Sequence, residues 1–163
     1  VYKRVKMSKM LNEVYVATCD KEIFEYIKSI GGKAVMTGEH HERCSDRCAE
    51  AMLKIEKQTS VRCDVMVMVQ GDEPMTTSDM ISQAIYPMIN DSSIDVINLI
   101  GNIHNEDEFN DRNCIKVVCD LDSNAMFFSR EPIPTSINTS NIPMKKQVCI
   151  IPFKFIFILF IST

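Results

Sequence analysis

The chain has 163 residues, 45% hydrophobic and 25% charged, the composition of a globular protein long enough for one sizeable core. Lys and Arg total 18 against 22 Asp and Glu, a net charge of −4, which gives no reason to expect a nucleic-acid surface with its basic stripe. A substrate carrying several phosphates would then need local donors or a metal, not a general positive field.

In chain order, residues 1–10 carry Lys3, Arg4, Lys6 and Lys9 throughout, which is not the pattern of a secretory signal, and they read as the end of a helix. Residues 14–18 (VYVAT) are β-branched and apolar, a strand. Residues 21–30 place Ile23, Ile27 and Ile30 at helical spacing, and Gly31-Gly32 supplies the left-handed stop. Residues 34–37 (AVMT) form a second short strand. Ser45 or Asp46 caps the next helix, with Cys48, Met52 and Ile55 on its inner face. Residues 64–69 (DVMVMV) read as a strand covered on both faces.

Ser78 caps a further helix with Ile81, Ala84, Ile85 and Met88 inside. Residues 94–100 read as a strand and 106–109 as one helical turn. Residues 115–120 and 125–129 flank Leu121-Asp122-Ser123-Asn124, a hairpin. Residues 135–144 are polar, with Pro134 before them and Pro143 among them, and read as an exposed loop. Residues 148–153 form the last strand. Alternation of strands and helices in the first half predicts an α/β protein with a parallel sheet, extended by an antiparallel hairpin. No repeat or linker divides it, so residues 1–163 read as one domain.

The seven cysteines are odd in number and irregularly spaced, as expected of reduced thiols in a cytoplasmic protein. The apolar close at 150–161 is shorter than the ~20 residues of a membrane span and is interrupted by Lys154. Its lack of turn signals, and the helical pattern already running at Val1, read as a chain truncated at both ends, the last stretch being either native or frame-shifted.

Three features carry chemistry. Gln70-Gly71-Asp72-Glu73-Pro74 directly follows the apolar strand, where open α/β sheets bind ligands. Gly71 lets backbone approach a ligand, and Asp72 offers a carboxylate to a hard cation such as Mg²⁺ holding phosphate oxygens. An ordinary strand-to-helix turn uses the same residues. Ser45-Asp46-Arg47 at a helix start brings free backbone N–H groups and a planar donor fork to the same edge. A capped helix with a solvated Arg is the simpler reading of that segment alone. Ser129-Arg130-Glu131-Pro132-Ile133-Pro134 presents Arg130, suited to a bidentate bond with a substrate carboxylate, or else a surface Arg beside Glu131.

Together and in this order, with Val14–Thr18, Gly31–Thr37 and Lys116-Val117-Val118, these segments resemble the 3-deoxy-manno-octulosonate (Kdo) cytidylyltransferase family over nearly the whole chain. The resemblance implies an α/β/α sandwich of the nucleotide-diphospho-sugar transferase type, with a mostly parallel sheet and a projecting hairpin region. It implies CTP and an acidic, Kdo-like sugar as substrates, CMP-Kdo and pyrophosphate as products, Mg²⁺ as cofactor, a homodimer in the full-length enzyme, and a role in lipopolysaccharide synthesis. No nucleic acid or membrane is an expected partner.

By the same resemblance Asp72 matches a metal-binding aspartate, Gln70 and Gly71 positions near nucleotide and sugar, and Ser45 and Arg47 the segment beside the cytosine. Arg130 matches an arginine facing the sugar. The family's triphosphate-gripping loop and second metal-binding aspartate have no counterpart here, so the chain by itself is expected to be inactive. Gln147 stands where many members have His, which opens a different acidic or amino-substituted sugar as an alternative. Two other classes compete: a non-catalytic protein that keeps the fold for assembly, and a zinc-binding module gathering His41, Cys44 and Cys48, with His40 as fourth ligand.

Overall fold

The structure is a computed structural model that describes residues 1–134 and 144–155. Of the expected loop at 135–144 all but Met144, and of the apolar stretch at 150–161 everything from 156 onward, lie outside the described residues. The elements in order are α1 (Tyr2–Val5), β1 (Val16–Thr18), α2 (Lys21–Ser29), β2 (Ala34–Met36), α3 (Cys44–Thr59), β3 (Val65–Val69), α4 (Ser78–Asn90), β4 (Leu99–Asn102), α5 (Glu106–Asn110), β5 (Lys116–Cys119), β6 (Ala125–Ser129), β7 (Lys145–Val148) and β8 (Ile150–Lys154). They divide into two compact units, Val1–Ile97 with Cys149–Thr163, and Asn98–Val148.

The α/β class follows from local signals. Asp20 caps α2, its carboxylate accepting from the backbone N–H of Glu22 and Ile23. The helix ends in a Schellman turn: Gly32 N–H donates to Ile27 C=O at 2.8 Å and Gly31 N–H to Lys28 C=O at 3.0 Å. Gly31 has φ 72°, and a Cβ on Gly32 would sit 2.8 Å from the Ile27 carbonyl oxygen, so both glycines are required. Of the three isoleucines at helical spacing, only Ile27 is buried, because α2 rests on two strands of three residues each.

In the first unit β1 and β2 pair in parallel, while β3 pairs antiparallel with β8. Ala49 and Met52 of α3 pack with Met68, Ile151 and Phe153, and Cys48, Cys63 and Met66 close around them. Burial of Met52, Met68, Ile151 and Phe153 contributes about 1.5–3 kcal/mol each. Ile81, Ala84, Ile85 and Met88 of α4 are buried as expected, and α4 lies against β8. Arg4 Nε donates to the carbonyl of the fully buried Thr76 at 2.8 Å, tying α1 to the approach to α4.

Several expectations are corrected. Parallel pairing among the described residues is confined to β1 and β2, because β8 returns from the second unit and enters β3's edge in the opposite direction. Of β3 only Met68 is buried, so that strand is half-covered. The expected strand at 94–100 starts at Leu99, with Val96 making a single bridge to Phe153. The expected last strand at 148–153 is β8 from Ile150 on, while Val148 ends β7, a strand the sequence reading did not expect.

Among the described residues the second unit holds a four-stranded antiparallel sheet in the order β4-β7-β5-β6. The hairpin of β5 and β6 closes as the sequence reading expects. Asp120 accepts from Asp122 N–H, Asn124 N–H and Asn124 Nδ2, and Ser123 takes φ 67° in the turn.

Candidate active site

The Gln70–Pro74 segment leaves the end of β3 as a hydrogen-bonded turn. Glu73 N–H donates to Gln70 C=O at 3.2 Å, and Thr76 N–H to Glu73 C=O at 3.2 Å. Two bonds from chain far downstream hold it: Gln70 N–H to Cys149 C=O at 3.3 Å, and Cys149 N–H to Glu73 Oε1 at 3.0 Å. Glu73, part of the motif but given no role by sequence reading, therefore positions the turn.

Gly71 and Asp72 are exposed at its tip. A Cβ built on Gly71 meets no atom within 4 Å, and its φ is not in the left-handed region. Neither backbone conformation nor packing explains the glycine. Asp72 makes no hydrogen bond or ion pair among the described residues, so its carboxylate is not consumed by the fold. One exposed carboxylate at the end of a strand is a donor set that suits a magnesium ion otherwise held by water and substrate phosphates.

The second segment starts at Thr37, whose N–H bonds Thr18 C=O at 3.0 Å. α3 begins at Cys44 with Arg43 at the cap position and no side-chain cap. This corrects the expected cap: Ser45 and Asp46 lie inside the first turn, where Ser45 Oγ donates to Asp46 Oδ1 at 3.2 Å. Arg47 is not a solvated arginine. Its Nη1 donates to Thr37 Oγ1 at 2.6 Å and to Gly38 C=O at 3.1 Å, clamping the loop after β2.

Glu50, which sequence reading passed over, does the same work one turn on. Gly38 N–H donates to its Oε2 at 2.9 Å, Lys54 Nζ lies 2.6 Å from its Oε1, and His41 Nε2 meets Oε2 in a short hydrogen bond. The Lys54 ammonium, then the Gly38 N–H, then His41 hold the Glu50 carboxyl down at about 2, from an ordinary 4.5. The folded value is the depressed one, so this stabilisation is fully present above pH 4.5 and is lost as pH falls through about 2. Hydrogen exchange at the Gly38 amide should accelerate across that window beyond the intrinsic rate. Glu50→Gln should abolish the acid-dependent part.

α3 links β2 to β3 and packs on both strands, the chain leaving each of them at its carboxyl end. The 37–47 segment and the 70–72 tip issue from those ends, and among the described residues no hydrogen bond joins them.

The expected zinc set does not assemble. Cys48 turns into the core beside Met52, and burial pushes its thiol up to about 12, far from a thiolate. All seven cysteines are free.

In the second unit, Arg130 is exposed at the end of β6 and donates from Nη1 to Arg112 C=O at 2.9 Å. Glu131 is not its partner: it pairs with Arg112 Nη2 at 2.5 Å. The turn that carries Arg130 is held from below. Lys116 is fully buried, and its Nζ donates to the carbonyls of Asp111, Cys114 and Arg130 at 2.8, 2.7 and 2.7 Å. Gln147 is half-buried in β7, opposite Ile100, its N–H bonded to Ile115 C=O at 2.8 Å.

A family model described as cytidylyltransferase matches residues 1–155. The chain is 42% identical over 136 residues to the 3-deoxy-manno-octulosonate cytidylyltransferase of Thermodesulfovibrio yellowstonii, covering 82% of this chain and 53% of that protein. It is 40% identical over 135 residues to the protein of that name from Flavobacterium johnsoniae, with the same coverage of 82% and 53%. The chain thus spans about half the length of the curated relatives it matches. A solved structure of CMP:2-keto-3-deoxy-manno-octonic acid synthetase complexed with CTP superposes with a TM-score of 0.87 at 31% identity, covering 99% of this chain and 64% of that one.

Proposed function

The chain belongs to the cytidylyltransferase family, and from that premise we propose that the whole protein activates Kdo with CTP. The sugar's anomeric hydroxyl attacks the α-phosphorus of CTP and loses its proton. The bond to the bridging oxygen breaks, and CMP-Kdo and pyrophosphate leave. The observation that carries this reading is the Gly71-Asp72 tip, a glycine with open space above it and a carboxylate with no structural task, following β3.

Asp72 would hold Mg²⁺, which when bound offsets phosphate charge and orients the displacement. Gln70 and Gly71 lie against nucleotide and sugar in this reading, and Ser45 and Arg47 against the cytosine. Arg47 acts by holding the Thr37 hydroxyl at 2.6 Å and the Gly38 carbonyl at 3.1 Å, on the loop that would line the base. Arg130 pairs with the sugar carboxylate, and Gln147 hydrogen-bonds the sugar as a neutral group. Residues 1–163 act as one cytidylyltransferase domain of a cytoplasmic protein that serves lipopolysaccharide synthesis. The free cysteines fit that compartment, and no helix among the described residues is long and apolar enough to cross a membrane.

A homodimer fits the second unit. Among the described residues β6 is an edge strand of its sheet, and Met126 and Phe127 stand 69% and 63% exposed on it. An apolar edge of this kind asks for a partner.

The test is an assay of the full-length protein for pyrophosphate released from CTP and Kdo, with CMP-Kdo identified as product. Pyrophosphate with another acidic sugar, and none with Kdo, would transfer the reading to that sugar. No CMP-sugar with any would sink it. Gly71→Ala should leave the unfolding midpoint unchanged, because the new methyl meets nothing. It should weaken CTP binding about tenfold, the effect of a methyl forced into a ligand contact. A midpoint shift with unchanged CTP affinity would make Gly71 an ordinary turn glycine.

A further inference from the structure

We propose that His40, His41 and Glu50 form a binding site for a borderline-soft transition-metal dication of the zinc class, separate from the hard-cation ligand Asp72. One ligand atom from each of the three lies within 4.8 Å of the others, and the described residues hold no other such group. The set is two imidazoles and one carboxylate, with a fourth position left for water. That chemistry suits zinc, cobalt or nickel and not magnesium, which takes oxygen ligands in an octahedron.

Three features of the chain prepare it. Gly38 permits the geometry: a Cβ there would lie 2.3 Å from His40 Cε1, so only glycine lets the His40 ring fold back over the loop. The ring comes to rest beside His41, centroids 4.3 Å apart. Glu50 is orientated by the groups around it: Lys54 lies 2.6 Å from Oε1, and Gly38 N–H donates to Oε2 at 2.9 Å. Such outer partners fix a metal-binding carboxylate in place. Finally, His41 Nε2 and Glu50 Oε2 already face each other across a hydrogen bond. A dication between imidazole and carboxylate takes the position of the hydrogen-bonding proton and releases it to solvent.

Charge limits the affinity. Only one of the three ligands is anionic, and the Lys54 ammonium and Arg47 guanidinium stand around the loop. Binding in the micromolar range is therefore expected, well short of a structural zinc site. The loop so bound is the one that Arg47 clamps at Thr37 and Gly38.

The test uses the full chain titrated with Co²⁺, followed by visible ligand-field absorption, and then zinc competition. One equivalent should bind, four-coordinate by its spectrum, and excess Mg²⁺ should not displace it. His40→Ala removes a side chain that makes no hydrogen bond among the described residues, so folding is preserved, and affinity should fall at least about tenfold. Glu50→Gln should weaken binding as well. The double variant Cys44→Ser, Cys48→Ser should bind as the parent does. Absence of binding, full affinity in His40→Ala, or loss of binding in the cysteine variant would each overturn the assignment.

Discussion

Asp72→Asn in the full-length protein is expected to lower kcat for CMP-sugar formation by about 10²–10³-fold, the loss typical when one group that stabilises transition-state charge is removed. The substitution keeps size and shape and removes only the negative charge. Asp72 is exposed and makes no hydrogen bond or ion pair among the described residues, so the unfolding midpoint should not move. A defect that raised Mg²⁺ enables it to approach parent activity would locate the loss in the cation. Parent-like kcat at ordinary Mg²⁺ would remove Asp72 from the reaction, and with it the observation on which the functional reading stands.

Lys116→Met should destabilise the protein by about 3 kcal/mol or more in urea unfolding. The stem is conserved, but three buried carbonyls, of Asp111, Cys114 and Arg130, lose their donor together. An unsatisfied buried acceptor costs about 1–3 kcal/mol, and three that share one donor do not add fully. The loss has a second signature. Arg130 sits on the turn that Lys116 pins, so KM for the sugar should rise more than KM for CTP. Equal rises would leave Lys116 a structural residue alone, and an unchanged midpoint would mean that water replaces the ammonium without loss.

Lys116 also shows where sequence reading stops. It stands in an apolar-flanked strand, and pattern alone treats a lysine there as pointing to solvent. Only the packed unit shows three carbonyls converging on it, from residues 2, 5 and 14 positions away. Glu73 is similar: it was visible in the motif, but its partner is the Cys149 N–H, 76 residues on. Glu50 drew no reading from sequence, and the partners of Arg47, Thr37 and Gly38, appear only once β2 is laid beside α3. Periodicity carries no information about such partners, because it reports which face a residue is on and not what stands opposite it.

Local chemistry was legible because it is short-range. The Gly31-Gly32 stop, the hairpin around Leu121–Asn124 and the buried face of α4 depend on neighbours within a few residues, and each formed as expected. Caps were less well placed: α4 starts from Thr77, whose side chain accepts from Met80 N–H, and not from Ser78. The strand expected at 148–153 formed from Ile150 on, but Val148 joined the unexpected β7 instead, because the residues on either side of Cys149 satisfy their backbone bonds on different sheets, a decision that they do not themselves encode.

By itself, then, the sequence determined the α/β class, the helix stops, the hairpin and the motif that offers Gly71 and Asp72, since these rest on conformational preference and on residue order. Only the tertiary structure decided which strand edge each segment joins, which charges are turned inward, and that Gly71 has open space above it. Those are set by hydrogen bonds and packing between residues tens of positions apart, and their energy exists only once the chain has brought the partners together.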